Sequence, residues 1–126
     1  MKEVRNQMIN AFKILFVKDK DLSSQYYVKS LGFSDEGHGC FEREGVWIIL
    51  HENKATDAIR PNHKVDGWSA DIYVSVKGLE DYYEEFSSKN VEILKKPTIE
   101  MSGMKEFMIQ DMDGYWIIFG EYVGNN

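Results

Sequence analysis

Residues 43–52, Arg-Glu-Gly-Val-Trp-Ile-Ile-Leu-His-Glu, return in register at 112–121 as Met-Asp-Gly-Tyr-Trp-Ile-Ile-Phe-Gly-Glu. Gly45 aligns with Gly114, Trp47 with Trp116, Ile48 and Ile49 with Ile117 and Ile118, and Glu52 with Glu121. Two copies of one supersecondary unit within 126 residues imply a pseudo-symmetric fold. A binding site is then expected where the copies meet. The side chains at equivalent positions decide what that site can do.

The rest of each half follows the same order. Phe12 to Val17 is rich in aromatic and β-branched residues and reads as a buried strand. Ser23 is placed as an N-cap, Ser24 to Leu31 as a short helix, and Gly32 as its end. Phe41 to Leu50 forms a hairpin turning at Glu44-Gly45. Arg60 to Gly67 reads as the loop between halves. Ala70 to Val76 then alternates as a strand, and Leu79 to Lys89 carries Leu79, Tyr82, Tyr83 and Phe86 at helical spacing. Val91 to Leu94 begins a strand, Pro97 to Met104 is a loop, and Glu106 to Tyr122 is the second hairpin. The strands and helices align at an offset of 59 and the hairpins at 69. The ten additional residues are assigned to the loop around Pro97 to Gly103. Each half is β-α-β-β-β, module one spanning about 10–60 and module two about 68–122 of a single domain.

Charge and cysteine content narrow the partners. Fifteen Lys and Arg against 21 Asp and Glu give a formal charge of −6. Such a surface lacks the basic patch that neutralises phosphates, so a nucleic-acid partner is not expected. It suits a cationic small molecule, or solubility alone. The single Cys40 can make no internal disulfide, as befits a reducing cytoplasm. No apolar run approaches the ~20 residues of a membrane span, and the opening Met-Lys-Glu-Val-Arg-Asn-Gln lacks the apolar stretch of a signal peptide, so none is expected. A cytoplasmic protein is expected, with no membrane partner.

Three stretches carry a family likeness: Val17-Lys-Asp followed by Tyr26-Tyr27-Val-Lys-Ser-Leu-Gly-Phe33; Val76-Lys-Gly-Leu before a Tyr- and Glu-rich helix; and Phe107-Met-Ile-Gln-Asp-Met-Asp-Gly-Tyr-Trp. In this order they resemble the vicinal oxygen chelate superfamily of glyoxalase I, bleomycin-resistance proteins, fosfomycin-resistance transferases and extradiol dioxygenases. The likeness covers roughly residues 10–122. It implies an α/β (α+β) fold of two tandem modules forming a curved mixed sheet with helices on its convex face. Fold alone does not fix the reaction.

The resemblance also implies where a site would lie. Metal-dependent members place a His, Glu or Gln on each of four strands of the concave face. Those positions here are Phe12, Ile49, Asp71 and Ile118. Three offer no atom that coordinates a divalent cation, and one carboxylate is too few for a stable site. No metal and no cofactor are therefore expected, and glyoxalase I chemistry, which runs through that metal, is not expected either. In its place stands an aromatic floor. Strand alternation groups Phe12, Ile14 and Phe16, Trp47 with Ile49, Asp71, Tyr73 and Ser75, and Trp116 with Ile118, each on one face of its own strand, and the resemblance implies that these faces together form the concave side, with His51 continuing the Trp47–Ile49 face. Phe12, Phe16, Trp47, Tyr73 and Trp116 are expected to line one groove, with Ile49 and Ile118 as filling or contact and His51 at its mouth. Aromatic faces attract cations, and Asp71 would supply a counter-charge or act as a base. His38 and His63 are expected to be solvated, and Cys40 to be a small buried residue. Asp111-Met-Asp-Gly is read as a hairpin turn because it lacks the rest of a calcium loop.

Three readings follow. The first is a metal-free binding protein of the antibiotic-resistance type that sequesters an aromatic or cationic compound. The second is a lyase or isomerase of the family using an atypical metal or acid–base chemistry through Asp71. The third is a partner-binding scaffold with no small-molecule role. The resemblance points to grooves made by pairing of chains or of modules within one chain, and open sheet edges favour a homodimer.

Overall fold

The structure, a computed structural model, describes residues 5–124. Residues 1–4, the start of the segment compared above with a leader sequence, lie outside the described residues. Module one contains β1 (Phe12–Val17), helix α1 (Lys20–Gln25) continuing as a π-turn over Tyr26–Ser30, β2 (Ser34–Gly37), β3 (Cys40–Arg43) and β4 (Val46–Glu52). A 3-10 turn (Thr56–Ala58) and a short helix α2 (His63–Asp66) lead to module two. That module holds β5 (Ile72–Ser75), α3 (Leu79–Ser87), β6 (Glu92–Ile99), β7 (Met104–Gln110) and β8 (Trp116–Tyr122). Among the described residues no helix is long and apolar enough to cross a membrane.

The modules form two four-stranded mixed sheets, ordered β1-β4-β3-β2 and β5-β8-β7-β6, the α+β fold of tandem modules that was expected. Each repeated hairpin strand runs parallel to the first strand of its own module. Lys13 lies opposite Ile48 on β4, and Ile72 opposite Ile117 on β8. This shared register makes Trp47 and Trp116 equivalent under the repeat. The glutamates that end each repeat have equivalent tasks. Glu52 accepts from the Lys20 amide at 3.0 Å, and Glu121 from the Gly78 and Leu79 amides at 3.0 Å. Each fills orphan donors at the start of its module's helix.

One face of each sheet is sealed. Leu15, Val17, Ile48 and Leu50 pack under α1, and Phe107, Ile109, Ile117 and Phe119 under α3. Phe107 stacks on Phe119 with centroids 5.1 Å apart, and Phe86 of α3 lies 5.2 Å from Phe119. The modules adhere through helices and turns. Arg43 at the end of β3 donates to both oxygens of Glu85 on α3, at 2.8 and 2.9 Å. Tyr27 of the first module donates to Asp111 of the second at 2.6 Å.

Several local expectations are corrected. The cap of α1 is Asp19, which accepts from the Leu22 amide, whereas Ser23 is buried and donates to Asp113 at 2.9 Å. The loop expected at 60–67 holds helix α2, ended by Gly67 at φ +87°. The strand expected to begin at Val91 runs through Pro97 to Ile99, so the additional residues of module two lengthen a β6–β7 ribbon instead of a loop. Proline is tolerated there because β6 is an edge strand with a register shift between Lys95 and Thr98.

Candidate functional site

The alternation that seals one face of each sheet leaves the other open. On module one, Phe12, Ile14 and Phe16 are 42, 59 and 41% exposed on β1, whose alternate residues Leu15 and Val17 are buried. The Phe12 ring leans on Trp47, directly across the ladder, with centroids 4.9 Å apart. Phe16 meets the edge of His51 at 5.5 Å, and Ile49 sits opposite Ile14. These residues form a continuous apolar floor.

Module two presents a more polar version. Tyr73 and Met108 flank Ile118 across the ladder. The Tyr73 hydroxyl donates to Glu106 at 2.7 Å, and burial, with the adjoining carboxylate, pushes its pKa up to about 12. Gly120 lies beneath the Tyr73 ring, where any Cβ would collide with the hydroxyl, so the glycine creates the seat for the tyrosine. Beside it, Trp68, Asp71, Tyr73 and Ile118 line a hollow of about 390 Å³, and Trp68 is 75% exposed at its rim.

The hollow beside Tyr73 takes no residue from β1 or β4. Trp116 is held firmly. Its indole N–H donates to Gln110 at 2.8 Å, and His63 stacks on its ring at 3.9 Å and 4°. His63 also places Nε2 2.9 Å from the Gly114 carbonyl, which corrects its expected place in solvent. Cys40 is half-buried on β3 opposite Ile49.

Asp71 has a task that the sequence did not indicate. One carboxylate oxygen accepts from the Asn62 amide at 2.8 Å and the other from the Trp116 amide at 2.9 Å. It thus ties the inter-module loop to the start of β8. Asp71→Asn replaces one acceptor with an NH₂ that faces an N–H. It should lower stability by about 1–2 kcal/mol, read by urea unfolding; an unchanged midpoint would return Asp71 to the list of ligand contacts.

Glu106, which the sequence suggested only as a partner of Asp71 in an atypical metal site, places its carboxylate on the open side beside Tyr73. Its signal was the alternation of Met104, Glu106 and Met108 with buried Phe107 and Ile109. Phe12, Ile49 and Ile118 offer no donor atom to a metal. Among the described residues no three His, Cys, Asp or Glu side chains converge. The floor can offer flat apolar contact, the Tyr73 phenol and the Glu106 carboxylate, with Asp71 on the wall of the adjoining hollow.

Comparison with known proteins agrees with this architecture. A glyoxalase/bleomycin resistance protein/dioxygenase of Alicyclobacillus acidocaldarius superposes with a TM-score of 0.73 at 13% identity, covering 96% of each chain. A virulence protein of Salmonella typhimurium gives 0.70 at 20% identity over 95% of this chain and 100% of its own. An integron cassette protein from the mobile metagenome of V. cholerae gives 0.67 at 22% identity over 95% and 99%. No curated protein sequence matches the chain. The profile of the Glyoxalase/Bleomycin resistance protein/Dioxygenase superfamily matches residues 8–119, and the chain belongs to that superfamily.

Proposed function

We propose that the protein is a small-molecule-binding member of this superfamily that encloses a flat aromatic compound, preferentially a cation, without a metal. One observation carries the reading. Phe12, Ile14, Phe16 and Tyr73 stand 41–59% exposed on strands whose opposite faces are sealed. Exposed aromatics in a row mark a surface made for contact. Their faces favour a cation by about 0.5–2 kcal/mol per ring, and Glu106 supplies the counter-charge. In this reading a second copy of the chain lays its β5–β8 face over the β1–β4 face of the first, so each groove draws on both copies. The homodimer works in the cytoplasm, where Cys40 stays reduced.

The test uses ethidium as a flat cation and phenanthridine as an uncharged ring system of similar shape, titrated against tryptophan fluorescence. Ethidium should bind more tightly. Glu106→Gln should weaken ethidium about tenfold and phenanthridine little. Trp47→Ala should weaken both by about one decade. Equal loss for both probes in Glu106→Gln would remove the carboxylate from the site. Unchanged affinities in both variants would refute the groove.

A further inference from the structure

The modules meet at two junctions that are copies of each other under the repeat. In one, Asp113 in the β7–β8 turn accepts from Ser23 at 2.9 Å; in the other, Glu44 in the β3–β4 turn accepts from Tyr82 at 2.6 Å. Glu44 and Asp113 are 69 residues apart, and Ser23 and Tyr82 are 59 apart, the same offsets that align the hairpins and the strands. Strand register confirms the correspondence, since Phe16 lies opposite His51 and Ser75 opposite Gly120.

The copies differ in what fills them. At the first junction the ring of Tyr115 is buried, and its hydroxyl donates to the Phe16 carbonyl at 2.6 Å. At the second, the position of Tyr115 is taken by Val46, that of Tyr27 by Phe86, and that of Phe16 by Ser75. Valine lacks the ring. Around it the structure has a cavity of about 190 Å³ walled by Leu31, Val46, Val74, Val76, Phe86 and Phe119. Ser75 lies on the same wall, and Arg43, Glu44, Lys77 and Tyr82 complete the polar part of the lining. Arg43 is fixed there over the Tyr82 ring, 5.1 Å from its centroid, and by its two bonds to Glu85. An apolar cavity of about 150 Å³ is enough to hold one benzene ring.

We propose that this cavity is a binding site for one small phenol. The ligand's ring takes the place that Tyr115 holds at the other junction, and its hydroxyl donates to the Ser75 carbonyl as Tyr115 donates to Phe16. The chain's own repeat thus serves as the template for the ligand. The site is separate from the aromatic floor, and neither depends on the other.

The test titrates phenol, and separately benzene, into the ¹⁵N-labelled full chain. Phenol should shift the amides of Val46, Val74 to Lys77 and Phe119, saturating in the millimolar range expected of so small a ligand. Benzene should move the same signals with an affinity about threefold to tenfold weaker, having no hydroxyl to donate. Val46→Tyr supplies the ring covalently and should abolish these shifts while the chain stays folded by circular dichroism. Should Val46→Tyr not fold, Val46→Phe makes the same test. The proposal is overturned if phenol moves no amide around the cavity by about 20 mM. It is also overturned if phenol moves only floor residues such as Tyr73 and Ile118, if it binds no better than benzene, or if its shifts persist in a folded filled variant.

Discussion

At pH 5, Asp111→Ala should destabilise the protein by about 3–5 kcal/mol, and Asp111→Asn by far less. Asp111 is 6% exposed and serves three donors: the Tyr27 hydroxyl at 2.6 Å and the Asp113 and Tyr115 amides at 2.9 Å. Alanine leaves all three without a partner at the module junction. Asparagine keeps an oxygen for the two amides, and its NH₂ can donate to the Tyr27 hydroxyl.

The same residue makes stability depend on pH. Burial pushes the Asp111 carboxyl up from its ordinary 3.8 to about 6, only partly offset by its hydrogen bonds. The folded state therefore holds this proton more tightly than the unfolded chain does. Its stabilising contribution is fully present below about pH 4 and lost as pH rises through 6. Roughly two pKa units correspond to about 3 kcal/mol. Urea unfolding between pH 4.5 and 7.5 should show the stability of wild type falling relative to Asp111→Asn by about 2 kcal/mol, the share of that amount lying within this window. The lowered carboxyls of Glu44 and Glu85, held down by Tyr82 and Arg43 respectively, are common to both proteins and cancel in the difference. A difference that stays flat with pH would show that Asp111 does not titrate in this range.

What could be read in the sequence was whatever repeats or alternates. The duplicated Gly-x-Trp-Ile-Ile segment placed two hairpins in equivalent registers, and the first of them turns at Glu44 and Gly45, both with positive φ. The aromatic floor followed from period-two alternation on β1 and β4. What could not be read were pairings across long stretches of chain. Ser23 looked like a helix cap because its partner, Asp113, lies 90 residues away. His63 looked like a loop residue because the ring it covers, Trp116, belongs to the other end of its module. Asp71 looked like a lone charge because its partners are backbone amides, which no side-chain pattern reveals. Glu106 stood on a recognisable strand, but its importance depends on Tyr73, which Gly120 admits to that face.

Ile14→Glu should convert the proposed homodimer to monomers without unfolding the chain. Ile14 is 59% exposed between Phe12 and Phe16, and Met8 and Ile9, at 99% and 72%, extend the apolar surface upstream. On an isolated chain a glutamate at position 14 stays solvated, so circular dichroism and melting temperature should change little. Across a dimer interface the same carboxylate would be taken from water with no cation facing it from β1 or β4, at a cost of several kcal/mol. The dimer dissociation constant should then rise by two decades or more. Light scattering at micromolar concentration should give a dimeric mass for wild type and a monomeric one for Ile14→Glu. Ethidium binding should disappear together with the dimer, because the floor of β1 and β4 and the carboxylate of Glu106 would no longer face one another. A variant that stays dimeric would place the interface elsewhere. A monomer that still binds ethidium would mean that one chain's open face is sufficient.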